Sequence, residues 1–186
     1  MNNKLNTDKT DLFIITGGPG VGKTTLINGL ANKGFTIATE SARAIIKDQV
    51  DHNGDGVPWK NKQRYAELMF RESLKAYHQI VDMHLDRIAF FDRGLPDTLC
   101  YMKMEKIPVT EKCYETIKAT VYNKKVFILP PWEEIYETDM ERKQSWDEAV
   151  FTYQKMKETY TALGYDVITV PIGSVERRCA FILAHV

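Results

Sequence analysis

The residues of this chain that are best suited to a chemical task lie near its N-terminus, in the stretch GGPGVGKTT at positions 17–25. The stretch matches the pattern G-x-x-x-x-G-K-[ST], in which glycines let the backbone curl so tightly that several N–H groups point at one place. A lysine and a hydroxyl residue, Lys23 and Thr24, follow directly. Convergent amides, a cation and the positive end of a helix dipole together favour the binding of phosphate groups.

The context of this loop is the one that phosphate binding requires. A short apolar run, LFIIT at Leu12–Thr16, precedes it and predicts a buried strand, and a helical pattern over Lys23–Asn32 follows it. We therefore predict a nucleoside-triphosphate site, with Lys23 on the β- and γ-phosphates and the Thr24 hydroxyl on Mg²⁺. The predicted nucleotide-binding residues are Gly18, Pro19, Gly20, Val21, Gly22, Lys23, Thr24 and Thr25.

A second polar segment follows another apolar run, in FFDRGLPDT at positions 90–98. In open α/β folds, ligands bind at the edge where parallel strands end, so a neighbouring strand would deliver its terminal residues to the same cleft. Asp92 is then well placed to hold the hydration shell of Mg²⁺, and Arg93 would project into the cleft. Asp97 lies just beyond the strand end and is a further candidate catalytic and acceptor-binding residue.

Three classes of protein use such a phosphate loop, and the residue types separate them in part. Motor ATPases commonly place a water-activating glutamate directly after the strand-end aspartate, but here that position is Arg93. Guanine-specific switches carry N-K-x-D, and the candidate at positions 123–126, NKKV, lacks the aspartate. The pattern therefore favours a small-molecule kinase that uses ATP and Mg²⁺.

Other charged residues meet the needs of a kinase. Glu40 and Arg43 follow the second predicted strand in TESAR, and Arg142 and Lys143 lie in a polar stretch before a capped helix, where a mobile lid belongs. An arginine on such a lid can neutralise charge on the phosphoryl group during its transfer, so Arg142 is a predicted catalytic residue. The acid that orients or deprotonates the acceptor hydroxyl remains open among Asp97, Glu40 and Asp92.

The elements that must position these residues alternate between strands and helices. This alternation predicts an α/β fold with a parallel sheet covered on both faces. The predicted strands are Leu12–Thr16, Phe35–Thr39, Ile88–Phe91, Val126–Leu129 and Asp166–Val170. The predicted helices cover Lys23–Asn32, Ser41–Val50, Asn61–Asp86, Thr110–Tyr122, Ser145–Gly164 and a terminal stretch from Ser174.

These segments also resemble a known family. The stretches GGPGVGKTT, TESAR, VPW, FFDRGLPD, VFILPPWEEIYETDMERKQSWDEA and YTALGYDVITVPIGSVERR are similar to those of the AAA-domain ATP-binding proteins typified by the nicotinamide riboside kinase domain of NadR-type proteins. The resemblance implies a kinase-like P-loop fold with strand order 2-3-1-4-5 and a lid at about 132–146. It also implies that positions 171–178 lie beside the adenine. The residues it places on the acceptor side are Glu40, Arg43, Trp59, Arg93 and Asp97.

Bulk composition limits the partners. The chain has 186 residues, which fits one domain over 1–186, and its 25 basic and 25 acidic residues cancel. A net charge of zero gives no sign of the excess of basic residues that nucleic-acid binding favours. No apolar run is long enough for a membrane span or a signal peptide. Three cysteines without CxxC spacing indicate free thiols in the cytoplasm.

The predicted function is a Mg²⁺-dependent kinase that passes the γ-phosphoryl group of ATP to a small, nucleoside-like acceptor. The main alternative is an ATP-binding or ATPase regulatory module that has no small-molecule acceptor. A polynucleotide end kinase is a second alternative, against which the neutral charge counts.

Overall fold

The structure, a computed structural model, describes residues 10–83, 87–135 and 145–186. Within these ranges five strands form one parallel sheet in the order β2-β3-β1-β4-β5. The strands are β1 (Leu12–Gly17), β2 (Thr36–Ala38), β3 (Ala89–Asp92), β4 (Lys125–Leu129) and β5 (Asp166–Thr169). The strand order and the α/β P-loop fold are therefore as predicted.

Helices flank this sheet. They are α1 (Lys23–Asn32), α2 (Ala42–Asp51), α3 (Lys62–Asp82), α4 (Leu95–Met104), α5 (Glu111–Ala119), α6 (Trp146–Ala162) and α7 (Val175–Leu183). A 3₁₀ turn over Glu133–Ile135 follows β4. None of the helices in these described ranges is both long and apolar enough to cross a membrane.

Both faces of the sheet are buried, because successive side chains of a strand point to opposite sides. Phe13 and Ile15 of β1 join one apolar cluster with residues of α1 and α7, and Ile14 between them joins another with residues of α4 and α6. Side chains of this kind contribute about 1.5–3 kcal/mol each when fully buried. The two clusters hold the strand ends, and with them the polar residues that follow, in fixed positions.

One helix was missing from the sequence prediction. Residues 95–104, between Gly94 and the loop that precedes α5, form α4, which begins with Leu95-Pro96-Asp97. Proline fits the first turn of a helix, where its missing N–H is not needed. The Asp97 side chain accepts from the Gly94 N–H at 2.9 Å and caps the helix. The short apolar pattern was overlooked because the aspartate was interpreted only as a site residue.

Candidate active site

The phosphate loop has the backbone that its glycines predict. Gly17, Gly20 and Gly22 have φ angles of 152°, 81° and 72°, values that side chains with a Cβ atom rarely adopt. The loop connects the end of β1 to the start of α1. The first N–H groups of α1, which have no partner within the helix, are therefore available at the loop. Lys23 is buried at the helix start, while Thr24 and Thr25 are exposed.

Lys23 meets acidic residues from two other strand ends. Its Nζ lies 3.1 Å from Oε2 of Glu40, which follows β2, and it also contacts Oδ1 of Asp92, the last residue of β3. The parallel pairing of β1 with β3 places Asp92 opposite Ile15 and brings its carboxylate to the loop. The structure thus joins three predicted site residues that are far apart in the sequence.

Arg93 occupies the centre of this cluster. Its backbone has a φ angle of 69°, in the left-handed region, and its N–H donates to Ile15 O at 3.0 Å. Its Nε donates to Glu40 Oε1 at 2.7 Å and its Nη1 to Asp97 Oδ1 at 3.3 Å. A non-glycine residue in this conformation costs about 1–3 kcal/mol, and such strain is concentrated at functional sites.

The charges within the cluster shift the pKa values of its members. Burial alone would raise the pKa of Glu40, but the positive charges of Arg93 and Lys23 outweigh burial and lower it to about 2. Burial raises the pKa of Asp92 despite the attraction of Lys23. Burial would lower the pKa of Arg93, but Glu40, Asp97 and Asp92 raise it. Of Glu40 and Asp92, Glu40 is therefore the more strongly ionised acid.

Asp97 has a different environment from the other acids. Its side chain is 4% exposed, and its two oxygens accept hydrogen bonds from four groups. The donors are the Thr16 and Tyr160 hydroxyls, the Gly94 N–H and the Arg93 guanidinium. The sequence analysis did not identify Thr16 or Tyr160, because contacts across 81 and 63 positions leave no signal in a single sequence.

The family of the chain follows from comparison with known proteins. A family profile described as "AAA domain" matches residues 12–178. The chain belongs to this family. The matched range includes the phosphate loop, all three strand ends of the cluster and α7 up to Arg178.

Solved structures support the fold of this AAA-domain protein at low identity. The NadR protein in complex with NR matches with a TM-score of 0.71 at 18% identity, over 93% of this chain and 49% of the NadR chain. The chain therefore spans about half the length of that protein. Deoxyadenosine kinase from M. mycoides, bound to dCMP and dCDP, matches with a TM-score of 0.61 at 17% identity, over 94% of this chain and 97% of its own.

Thymidylate kinase from Candida albicans also matches, with a TM-score of 0.59 at 13% identity, over 94% of this chain and 89% of its own. At these identities the likeness shows the fold alone. No match is found among curated protein sequences. Kinases of nucleosides and nucleotides are thus structural relatives of this AAA-domain protein.

A cleft lies beside the ion-pair cluster, between the ends of β2 and β3 and the helices α2, α3 and α4. Its lining includes Glu40, Asp92, Arg93, Met69, Ser73 and Thr98. Its free volume is about 20 Å³, which is room for about one water molecule. A larger ligand therefore requires that the surrounding side chains move apart.

Two predicted site residues of this AAA-domain protein do not line the cleft, and a third falls outside the described residues. Trp59 is 65% exposed before α3, and Arg43 is exposed on α2; neither lines the cleft. Arg142, like Lys143 beside it, lies outside the described residues. The roles of these residues stay predictions.

Proposed function

We propose that this protein is a kinase that moves the γ-phosphoryl group of ATP to a hydroxyl of a small, nucleoside-like acceptor. The observation that supports the proposal most is the cluster in which Lys23 of the phosphate loop, Glu40, Asp92 and Arg93 meet beside a cleft. A protein that only binds a nucleotide has no need for charged residues at the ends of β2 and β3 that face a cleft beside the phosphate loop. Structural likeness to nucleoside and nucleotide kinases is consistent with this proposal.

In the proposed reaction, the loop amides and Lys23 hold the phosphates of ATP. Phosphate oxygens would compete with Glu40 and Asp92 for the Lys23 ammonium group. Once Lys23 moves to the phosphates, Glu40 keeps only Arg93 as a cationic partner, and its pKa rises from the value of about 2. Nucleotide binding would thus make Glu40 a better hydrogen-bond acceptor for the acceptor hydroxyl.

The structure provides a reason to choose among the candidate acids. Asp97 is buried and both of its oxygens are already hydrogen-bonded, so it has no free position for an acceptor hydroxyl. Glu40 is the most exposed of the three, at 25% of its side chain, and it lines the cleft. We therefore assign Glu40 to orient the acceptor hydroxyl and Asp97 to hold Arg93 in place.

Mg²⁺ fits the residues at this edge of the sheet. Thr24 offers an exposed hydroxyl and Asp92 a carboxylate, both of them the hard oxygen ligands that Mg²⁺ prefers. Mg²⁺ sites in kinases use one or two such side chains together with phosphate oxygens. The described residues accordingly contain no group of three or more His, Cys, Asp or Glu residues arranged as a metal site. Bound there, the ion would neutralise charge on the transferring group.

A coupled assay of ADP formation tests the proposal. The protein is incubated with ATP and Mg²⁺, with and without a panel of nucleosides, and the products are analysed for phosphorylated acceptor. We expect at least one nucleoside to stimulate ADP formation and to become phosphorylated. Lys23→Ala should abolish ATP binding and transfer, whereas Lys124→Ala, an exposed lysine next to β4, should change neither.

The alternative function is an ATP-binding or ATPase regulatory module. It predicts slow ATP consumption that no metabolite stimulates, and this result in the same assay would overturn the kinase proposal. Arg93 argues against efficient hydrolysis, because it stands where motor ATPases commonly carry a water-activating glutamate and it forms ion pairs with Glu40 and Asp97. We also propose a cytoplasmic location, which the free thiols of all three cysteines support.

A further inference from the structure

A third cation packs against the phosphate loop, on a helix that the sequence analysis did not connect with the phosphates. The side chain of Arg178 on α7 is 4% exposed, and its Nη1 donates to Val21 O at 3.3 Å. A Cβ atom added at Gly22 would lie 3.1 Å from Nη1 and 3.2 Å from Nη2. The guanidinium therefore packs directly against the backbone of the loop, where only glycine leaves enough room.

The segment after β4 covers the same guanidinium. The ring of Trp132 lies over Arg178, with its centroid 5.7 Å from Cζ. Ile135 Cδ1 lies 3.4 Å from the position of an added Cβ at Gly22. Arg178 is thus enclosed between the loop and the described first residues of the predicted lid, positions 132–135.

The charge of Arg178 is not neutralised by any acid in the described parts of the chain. No carboxylate within those ranges forms an ion pair with it, and its buried Nε–H has no hydrogen-bond partner there. Burial lowers its pKa, as expected for a cation without a counter-charge. Arg178 also lies near the start of α7, where the helix dipole disfavours a positive charge.

This arrangement contrasts with the other two cations of the site. Lys23 and Arg93 each contact two carboxylates, so their charges are already balanced. A buried charge without a partner is costly, and proteins retain one where a ligand supplies the opposite charge. The group of opposite charge that fits a phosphate loop is a nucleotide phosphate.

We propose that Arg178 is a positioning residue for the nucleotide: it fixes the Val21–Gly22 part of the loop, and the phosphates of the bound nucleotide balance its charge. The inference rests on the proposed function only in requiring that a nucleoside triphosphate binds the loop. It is independent of the identity, or even the existence, of an acceptor.

The test compares variants of Arg178 in two measurements on the whole chain, the Kd for ATP with Mg²⁺ and the melting temperature with and without ATP. Arg178→Gln keeps a donor for Val21 O but removes the charge, and Arg178→Met removes both. We expect the Kd for ATP to rise about tenfold or more in both variants, the effect of losing one charge-assisted interaction. Arg71→Gln, an exposed arginine on α3, is the matched control and should bind like the wild type.

The melting temperature separates this role from simple packing. Because Arg178→Gln removes an unbalanced buried charge, its melting temperature without ATP should equal or exceed that of the wild type, and its stabilisation by ATP should fall. An unchanged Kd for ATP in Arg178→Gln would overturn the inference. So would a lower melting temperature without ATP together with a raised Kd, because lost packing alone would then explain the weaker binding. A wild type that binds no ATP would instead refute the proposed function.

Discussion

Glu40 should make the stability of this protein depend on pH in a way that Glu40→Gln removes. Its ordinary pKa of 4.5 falls to about 2 in the folded chain, so its ionised form stabilises the fold above pH 4.5. This contribution is lost as the pH falls from 4.5 towards 2. A difference of about 2.5 pKa units corresponds to about 3 kcal/mol at pH 7, at about 1.4 kcal/mol per unit.

The same pKa values predict how much of this contribution remains in acid. At pH 3 a carboxyl with a folded pKa of about 2 retains about 1 kcal/mol, so about 2 kcal/mol disappears between pH 7 and pH 3. The measurement is urea unfolding of the wild type and of Glu40→Gln at pH 7, 5, 4 and 3 without nucleotide. The difference in free energy of unfolding between the two proteins should shrink by about 2 kcal/mol over this range.

Glu158→Gln is the control for this experiment, because Glu158 forms an exposed pair with Lys155 on α6. An exposed pair contributes at most about 1 kcal/mol to stability. The difference in free energy of unfolding between Glu158→Gln and the wild type should therefore change little with pH. A difference between wild type and Glu40→Gln that stays constant from pH 7 to pH 3 would refute the reasoning. It would mean that Arg93 and Lys23 do not lower the pKa of Glu40 in solution.

Three further predictions concern the surroundings of the site. Asp97→Asn should lower the free energy of unfolding by about 3 kcal/mol in urea, since it removes the charge that three buried donors and the half-buried Arg93 share. A loss below about 1 kcal/mol would contradict this network. Gly94→Ala should lower the melting temperature, because its Cβ would lie 2.5 Å from Ile14 Cδ1; an unchanged value would show that α4 can shift freely. Cys113 should react with a thiol reagent before Cys100, which is buried and whose pKa burial raises to about 11; equal rates would contradict the packing around α4.

Much of the fold could be predicted from the sequence because its signals are local. Each strand is a short run rich in apolar residues, and each observed strand end lies within one residue of the prediction. The phosphate loop is equally local, since its chemistry depends on glycines and a lysine at fixed spacing. α4 was not predicted because its first turn holds Pro96 and Asp97, residue types that are unfavourable inside a helix.

The candidate site could be predicted only in part, because it depends on contacts between distant segments. The sequence placed Glu40, Asp92 and Arg93 at neighbouring strand ends, and the sheet order brings them together. It could not show that the Tyr160 hydroxyl donates to one oxygen of Asp97, a contact on which our proposal of a positioning role for that acid rests. Trp59 was assigned to the acceptor side by resemblance. No pattern in the sequence indicates that its side chain is 65% exposed.

The two carboxylates around Lys23 have a practical consequence for inhibitor design. They act as built-in stand-ins for phosphate, so an anionic compound has to displace Glu40 and Asp92 before it can use the lysine. Small anions will therefore bind more weakly than the positive charge of the loop suggests. Compounds that approach from the cleft and engage Glu40 with a donor group avoid this competition, and they offer the more productive starting point.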